Sequence, residues 1–203
     1  MVRALRDFWW ATDRLGWTTD RMAEGKMWIE GVLARPNVAA RPDLQAGLLD
    51  HAGALAFGEG KYEPATSALE ESLRLRRALG KPVAVAQSLN HLATLQLSQG
   101  DLDAARLLYE ESLSLAQSGN QPFLAGAALV NLAVIALHHG AYRDAFTLLS
   151  QGVSRYREVQ SPGGFVGLLD LFACCAAGEG RAERALRFAG AAAPQRTREG
   201  TTQ

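Results

Sequence analysis

Two histidines, His51 and His91, stand forty residues apart, each preceded by a hydrogen-bonding side chain, Asp50 or Asn90. Imidazoles and carboxylates are the usual metal ligands, bases and polar-ligand contacts, so these pairs are where chemistry would first be sought. A zinc site needs a third and fourth ligand in tetrahedral geometry. Only Asp50 and Asn90 could approach, and packed helices stand about 8–10 Å apart. A solvated polar surface, or a peptide or small-ligand groove, is therefore the better reading of the four residues than a metal centre.

The other candidates are weaker. His138-His139 precedes Gly140 at a helix end, where a partly positive imidazole suits the helix dipole. Glu30, Glu70 and Glu110 form a ladder that could mimic paired catalytic acids, but it falls on helix faces expected to be solvated, with Glu70 and Arg74 set for an i,i+4 surface pair. Cys174 and Cys175 are adjacent, so they point apart on a helix and read as small, buried, reduced side chains. Gly58-Glu59-Gly60-Lys61-Tyr62 fails as a phosphate loop, because Leu55 stands where the first glycine belongs and Tyr62 where Ser or Thr belongs. No nucleophile–base pair stands out, so the sequence reads as non-enzymatic and without a cofactor.

The elements that position these residues follow a fixed beat. Gly60, Gly100, Gly140 and Gly180 recur every forty residues, each followed five residues later by Ala65, Ala105, Ala145 or Ala185. A period in this range signals stacked helical repeats. Glycine just past a helix end permits a left-handed cap and a reversal in about two residues, which sets the two helices antiparallel. They must then meet closely, and alanine is needed where they cross. The spacing predicts helices from Asp43, as cap, to about Gly58, then Tyr62–Leu79, Pro82–Ser98, Leu102 to about Gln117, from near Pro122, Tyr142 to about Val159, then, after a Ser161-Pro162-Gly163-Gly164 turn, one carrying Leu168, Leu169, Phe172 and Ala173, and Ala182 to about Ala193. Pro36 and Pro42 bracket a linker, and residues 194–203 read as a disordered tail. Residues 1–35 read as a degenerate first helix pair. Trp9, Trp10, Trp17 and Trp28 gather there, either as the core of that pair or as a docking surface.

Bulk composition narrows the partners. The 203 residues carry 21 basic and 21 acidic side chains, so no net field favours nucleic acid or an anionic membrane. The arginines 181, 184, 187, 196 and 198 make the C-terminal end basic, but no interleaved aromatics suggest base stacking. No apolar run approaches the ~18 residues of a membrane span, and Met1–Trp10 lacks a signal pattern. The expected location is cytoplasmic. Lysine occurs only at positions 26, 61 and 81, which with abundant Ala, Leu and Gly suggests a high-GC bacterial source.

Counted from Ala46, Ala86, Gly126 and Val166, large residues fall fourth (Leu49, Leu89, Leu129, Leu169) and, apart from Ala52 in the first repeat, seventh (Leu92, Leu132, Phe172), and small ones eighth (Gly53, Ala93, Ala133, Ala173). This resembles the tetratricopeptide repeat. The usual period there is about 34, and the extra residues here fall near Gly80-Lys81-Pro82 and Gly119-Asn120-Gln121-Pro122. The resemblance implies an all-α, right-handed superhelical solenoid of antiparallel helix pairs, with four repeats at 43–80, 82–119, 122–160 and 164–193. It also implies a concave groove lined by first helices, which would gather Asp50, His51, Gln87, Asn90, His91, Thr94, Asn131 and Asp170. The stretch Gly100-Asp101-Leu102-Asp103-Ala104-Ala105-Arg106 and the opening Phe8-Trp9-Trp10 are also similar to the C-terminal array of bacterial LuxR-type and antibiotic-regulator-type transcription factors. On that resemblance the chain is expected to be a protein- or peptide-binding scaffold in a regulatory or signalling context, partnered by an NTPase and DNA-binding module. A small-molecule effector sensor is the competing expectation.

Overall fold

The computed structural model describes residues 19–160 and 167–200. Among these there are ten helices and no strand. The chain divides between Gln121 and Pro122 into two compact units. The first holds α1 (Thr19–Leu33), α2 (Pro36–Ala39), α3 (Pro42–Gly58), α4 (Tyr62–Ala78), α5 (Pro82–Gln99) and α6 (Leu102–Ser118). In it α3 pairs with α4 and α5 with α6, while α1 packs on α3 and α4 on α5. The second holds α7 (Pro122–His138), α8 (Tyr142–Glu158), α9 (Leu168–Gly178) and α10 (Ala182–Gly200), paired α7 with α8 and α9 with α10, with α8 against α9. The first half of the degenerate pair read in residues 1–35, and with it Trp9, Trp10 and Trp17, lies outside the described residues, as does the Ser161-Pro162-Gly163-Gly164 turn.

The turns explain the pairing. Gly60, Gly100, Gly140 and Gly180 all have positive φ, between 71° and 89°. Each closes a helix with the two bonds of a Schellman cap, as in Lys61 N–H to Ala56 O (2.9 Å) and Gly60 N–H to Phe57 O (2.9 Å). The turns between pairs use the same device. Gly80, Asn120 and Gln160 stand at φ 61°, 50° and 48°. A left-handed residue therefore occurs every twenty residues, not every forty, and the six helices α3–α8 are each 17 or 18 residues long.

Packing follows the predicted small positions. Ala65, Ala93, Ala105, Ala133 and Ala145 are fully buried. At Gly53 even a methyl group has no room: a Cβ there would sit 2.7 Å from Leu69 Cγ and 3.1 Å from the Ala65 carbonyl, so α3 and α4 meet backbone to side chain. Leu69, Leu89, Leu95 and Tyr109 fill the first unit. Val130, Ala133, Leu149, Tyr156, Leu168 and Cys175 form the core of the second. Each such buried leucine contributes about 1.5–3 kcal/mol of transfer free energy.

Several local expectations are corrected. The stretch read as a linker contains a single helical turn, Pro36–Ala39, because Pro36 suits a first helical position that needs no N–H. The same reason puts Pro42 at the start of α3, so the cap position falls to Arg41 and Asp43 lies in the first turn. The backbone of α10 continues to Gly200, through residues read as a tail. Trp28 is 64% exposed and so no part of a core. Cys174 is exposed and only Cys175 is buried, as a step of about 100° per residue on a helix dictates.

Candidate functional site

The predicted site residues do not share one environment. His51 on α3 is exposed and its Nδ1 lies 2.7 Å from the Gly47 carbonyl of its own helix, so it is turned back along α3. Gln87 and His91 on α5 are half-buried. Asn90 and Thr94 are buried, and the Thr94 hydroxyl is 2.9 Å from the Asn90 carbonyl and 2.8 Å from the Tyr109 hydroxyl. Asp50 has no exposed surface at all, so it supports the first-helix face from behind instead of lining it. In the second unit Asn131 on α7 is buried and Asp170 on α9 is half-buried.

The structure does bring Asp50 and His91 together, within a buried polar cluster built by α3, α4 and α5. One carboxylate oxygen of Asp50, Oδ1, accepts from the Ser88 hydroxyl at 3.0 Å and lies 3.2 Å from Arg76 Nη1. The other, Oδ2, lies 3.1 Å from His91 Nδ1. Arg76 Nη1 also donates to Ser88 Oγ at 2.8 Å and to the Ala84 carbonyl at 2.9 Å. Ser72 donates to the Ala46 carbonyl at 2.8 Å, with its oxygen 3.1 Å from that of Ser88. Burial alone would push the Asp50 carboxyl up. His91, Arg76 and Ser88 outweigh it and bring the carboxyl down to about 2. Asp50 is thus an ionised acid at neutral pH, with Oδ1 held by Ser88 and Arg76 and Oδ2 facing His91.

Serine, histidine and aspartate in one cluster suggest a hydrolase triad, but the geometry is wrong for one. A nucleophilic serine donates to the imidazole, which the acid orients from the far side. Here Ser88 donates to the carboxylate itself, on the oxygen opposite the one facing His91, and Ser88 is completely buried. The arrangement holds helices and orients His91; it does not activate Ser88.

Sequence reasoning missed Ser72, Arg76 and Ser88. A signal existed for the first: Ser72 and Ser112 are forty apart, and Ser112 makes the same bond, to the Ala86 carbonyl at 2.7 Å. Arg76 falls on the buried stripe with Leu69, Ser72 and Leu73, a position where an unpaired charge would not be stable. The outer helices carry surface pairs as expected, though Arg74 takes Glu71 at 2.6 Å in a two-pronged contact and not Glu70. Arg77 reaches Glu111 on α6 at 2.8 Å. A hollow of about 480 Å³ in the second unit, between Gly140–Asp144 and Glu179–Arg181, includes none of the predicted site residues. In it Glu179 lies 3.5 Å from Arg143 and 3.3 Å from Arg181.

Residues 44–118 match the tetratricopeptide repeat family. No curated protein matches the chain. Among solved structures, BtubC (BKLC) from P. vanneervenii is similar at TM-score 0.67 and 17% identity, over 78% of this chain and 66% of that one. The nearly identical TPR-like repeats of a Podosopora anserina protein described as a kinesin light chain are similar in two crystal structures, the first of a single-substitution variant. One gives TM-score 0.66 and 14% identity, covering 98% of this chain and 96% of that one. The other gives 0.62 and 16%, covering 100% and 96%. At such identities the likeness is one of fold. Tetratricopeptide repeats generally serve as protein-interaction scaffolds. The chain is an all-α array of TPR-like helix pairs, with its tetratricopeptide match in residues 44–118.

Proposed function

We propose that the chain is a non-catalytic scaffold that holds an extended protein segment on its first helices. The observation that carries this is the character of the α3 and α5 face: His51, Gln87 and His91 reach the surface there as hydrogen-bonding groups, with the Asp50 carboxylate held behind them by Arg76. Such groups suit peptide amides, which both donate and accept. The groove of the first unit is proposed to be formed by His51, Gln87, Asn90, His91 and Thr94 with Asp50 behind them; in the second unit, taken by itself, Asn131 on α7 and Asp170 on α9 are proposed as contacts. The regulatory setting, with an NTPase and DNA-binding partner, rests on the sequence resemblance to LuxR-type arrays. An NTPase reading frame beside the gene would support it.

Selection from a displayed random-peptide library tests the groove. Wild-type protein should enrich peptides that the N90A/H91A variant, checked for helix content, no longer holds. Unchanged capture by the variant counts against this face. The second reading, an effector sensor, predicts a thermal shift with metabolites and no peptide enrichment.

A further inference from the structure

The buried cluster of the first unit makes a distinction that its apolar surroundings cannot. The repeats offer nearly interchangeable joints, with Leu49, Leu89 and Leu129 at one position and Ala65, Ala105 and Ala145 at another. Helix pairs matched only by such residues would seat almost as well on a wrong neighbour, or on another copy of the chain. The polar residues are not interchangeable. Where the first repeat has Asp50 and Arg76, the second has Asn90 and Ala116 and the third Val130 and Tyr156. The receiving helix α5 has Ser88 and His91, where α7 has Ala128 and Asn131 at the corresponding positions.

We propose that Asp50 and Arg76, read by Ser88 and His91, are a register key that admits the α3–α4 pair to α5 and rejects equivalent faces. The physical basis is the cost of a wrong fit. On α5 the carboxylate receives the Ser88 hydroxyl at 3.0 Å and faces His91 Nδ1 at 3.1 Å. Against an alanine at the Ser88 position it would keep a buried charge and lose a donor, which costs more than any methyl mismatch. Buried ion pairs add little net stability over apolar replacements, and their best-attested use is to fix pairing and register. The inference does not rest on the proposed binding function, although His91 takes part in both.

The test replaces the key without leaving a stranded charge. In the D50N/R76M variant, Asn is what the second repeat carries at that position and Met keeps the length of Arg. Helix content by circular dichroism should be retained. Light scattering after size exclusion should show a concentration-dependent larger species absent from wild type. Amides of α3 and α4 should exchange roughly tenfold or more faster while those of α5 and α6 do not change. Wild-type elution with wild-type exchange in α3 and α4 overturns the proposal. If D50N/R76M fails to fold, S88A/H91N decides, since it gives α5 the residues of α7. The key predicts the same larger species and the same selective loss in α3 and α4. One wild-type-sized species whose protection falls evenly across α3–α6 overturns it.

Discussion

Removing the Asp50 carboxylate should be among the most damaging single changes in the first unit. In D50A, Arg76 remains 6% exposed with only the Ala84 carbonyl and Ser88 as partners, and Ser88 and His91 lose their acceptor. Stranding one member of a buried pair typically costs about 3–5 kcal/mol. The pH dependence supplies an independent check. The folded carboxyl is lowered to about 2 from an ordinary 3.8, so its contribution is complete above pH 4 and is lost as pH falls through about 2. That share is on the order of 2 kcal/mol. Repeat arrays need not unfold in one step, so the proper assay is amide exchange across α3–α5, with urea unfolding alongside, at several values between pH 7 and pH 2.5. The gap between wild type and D50A should narrow toward the acid end, because below an ordinary 3.8 the unfolded carboxyl takes up a proton that the folded one still refuses. A gap below about 1 kcal/mol at pH 7, far under the expected penalty, would refute the assignment of Asp50 as a paired buried charge. So would a gap that does not vary with pH.

Three further outcomes follow from packing and turns. G126A would place a Cβ 2.9 Å from Cε1 of Tyr156, a ring with no exposed surface, and should cost about 1–3 kcal/mol in thermal or urea unfolding of the second unit. S112A removes the 2.7 Å bond to the Ala86 carbonyl and should cost about 1 kcal/mol, measured by amide exchange in α5 and α6. Q160G relieves a non-glycine residue at φ 48° and should raise stability by about 0.5–1 kcal/mol, read as a higher melting temperature.

The helix pairs were legible because glycine is the cheapest left-handed residue, so Gly60, Gly100, Gly140 and Gly180 mark their turns openly. The intervening turns were hidden because Asn120 and Gln160 adopt the same backbone without the same letter. Small residues at the crossings were legible for a similar reason, since close approach tolerates few choices. The polar cluster was half legible. Asp50 and His91 stood out by type, but their meeting depends on Arg76 and Ser88, and a charged residue on a helix reads as surface until its buried stripe is traced. His51 looked equivalent to His91 by spacing, yet Leu48 stands where Ser88 does, and His51 turns back to the Gly47 carbonyl of its own helix. Cys174 shows the limit of composition, which describes a pair of neighbours but not which of them faces in.

The twenty-residue beat of left-handed turns also constrains how such a chain can change length. Adding one amino acid inside a helix swings everything beyond it by about 100°, taking Ala105 or Ala145 out of its crossing and a leucine into water. Adding a whole turn-to-turn half leaves every side chain pointing as before but reverses the chain's direction. Only gains or losses of two halves restore both, so viable size variants of this molecule should differ by steps of forty residues, from Gly60 to Gly100 and onward.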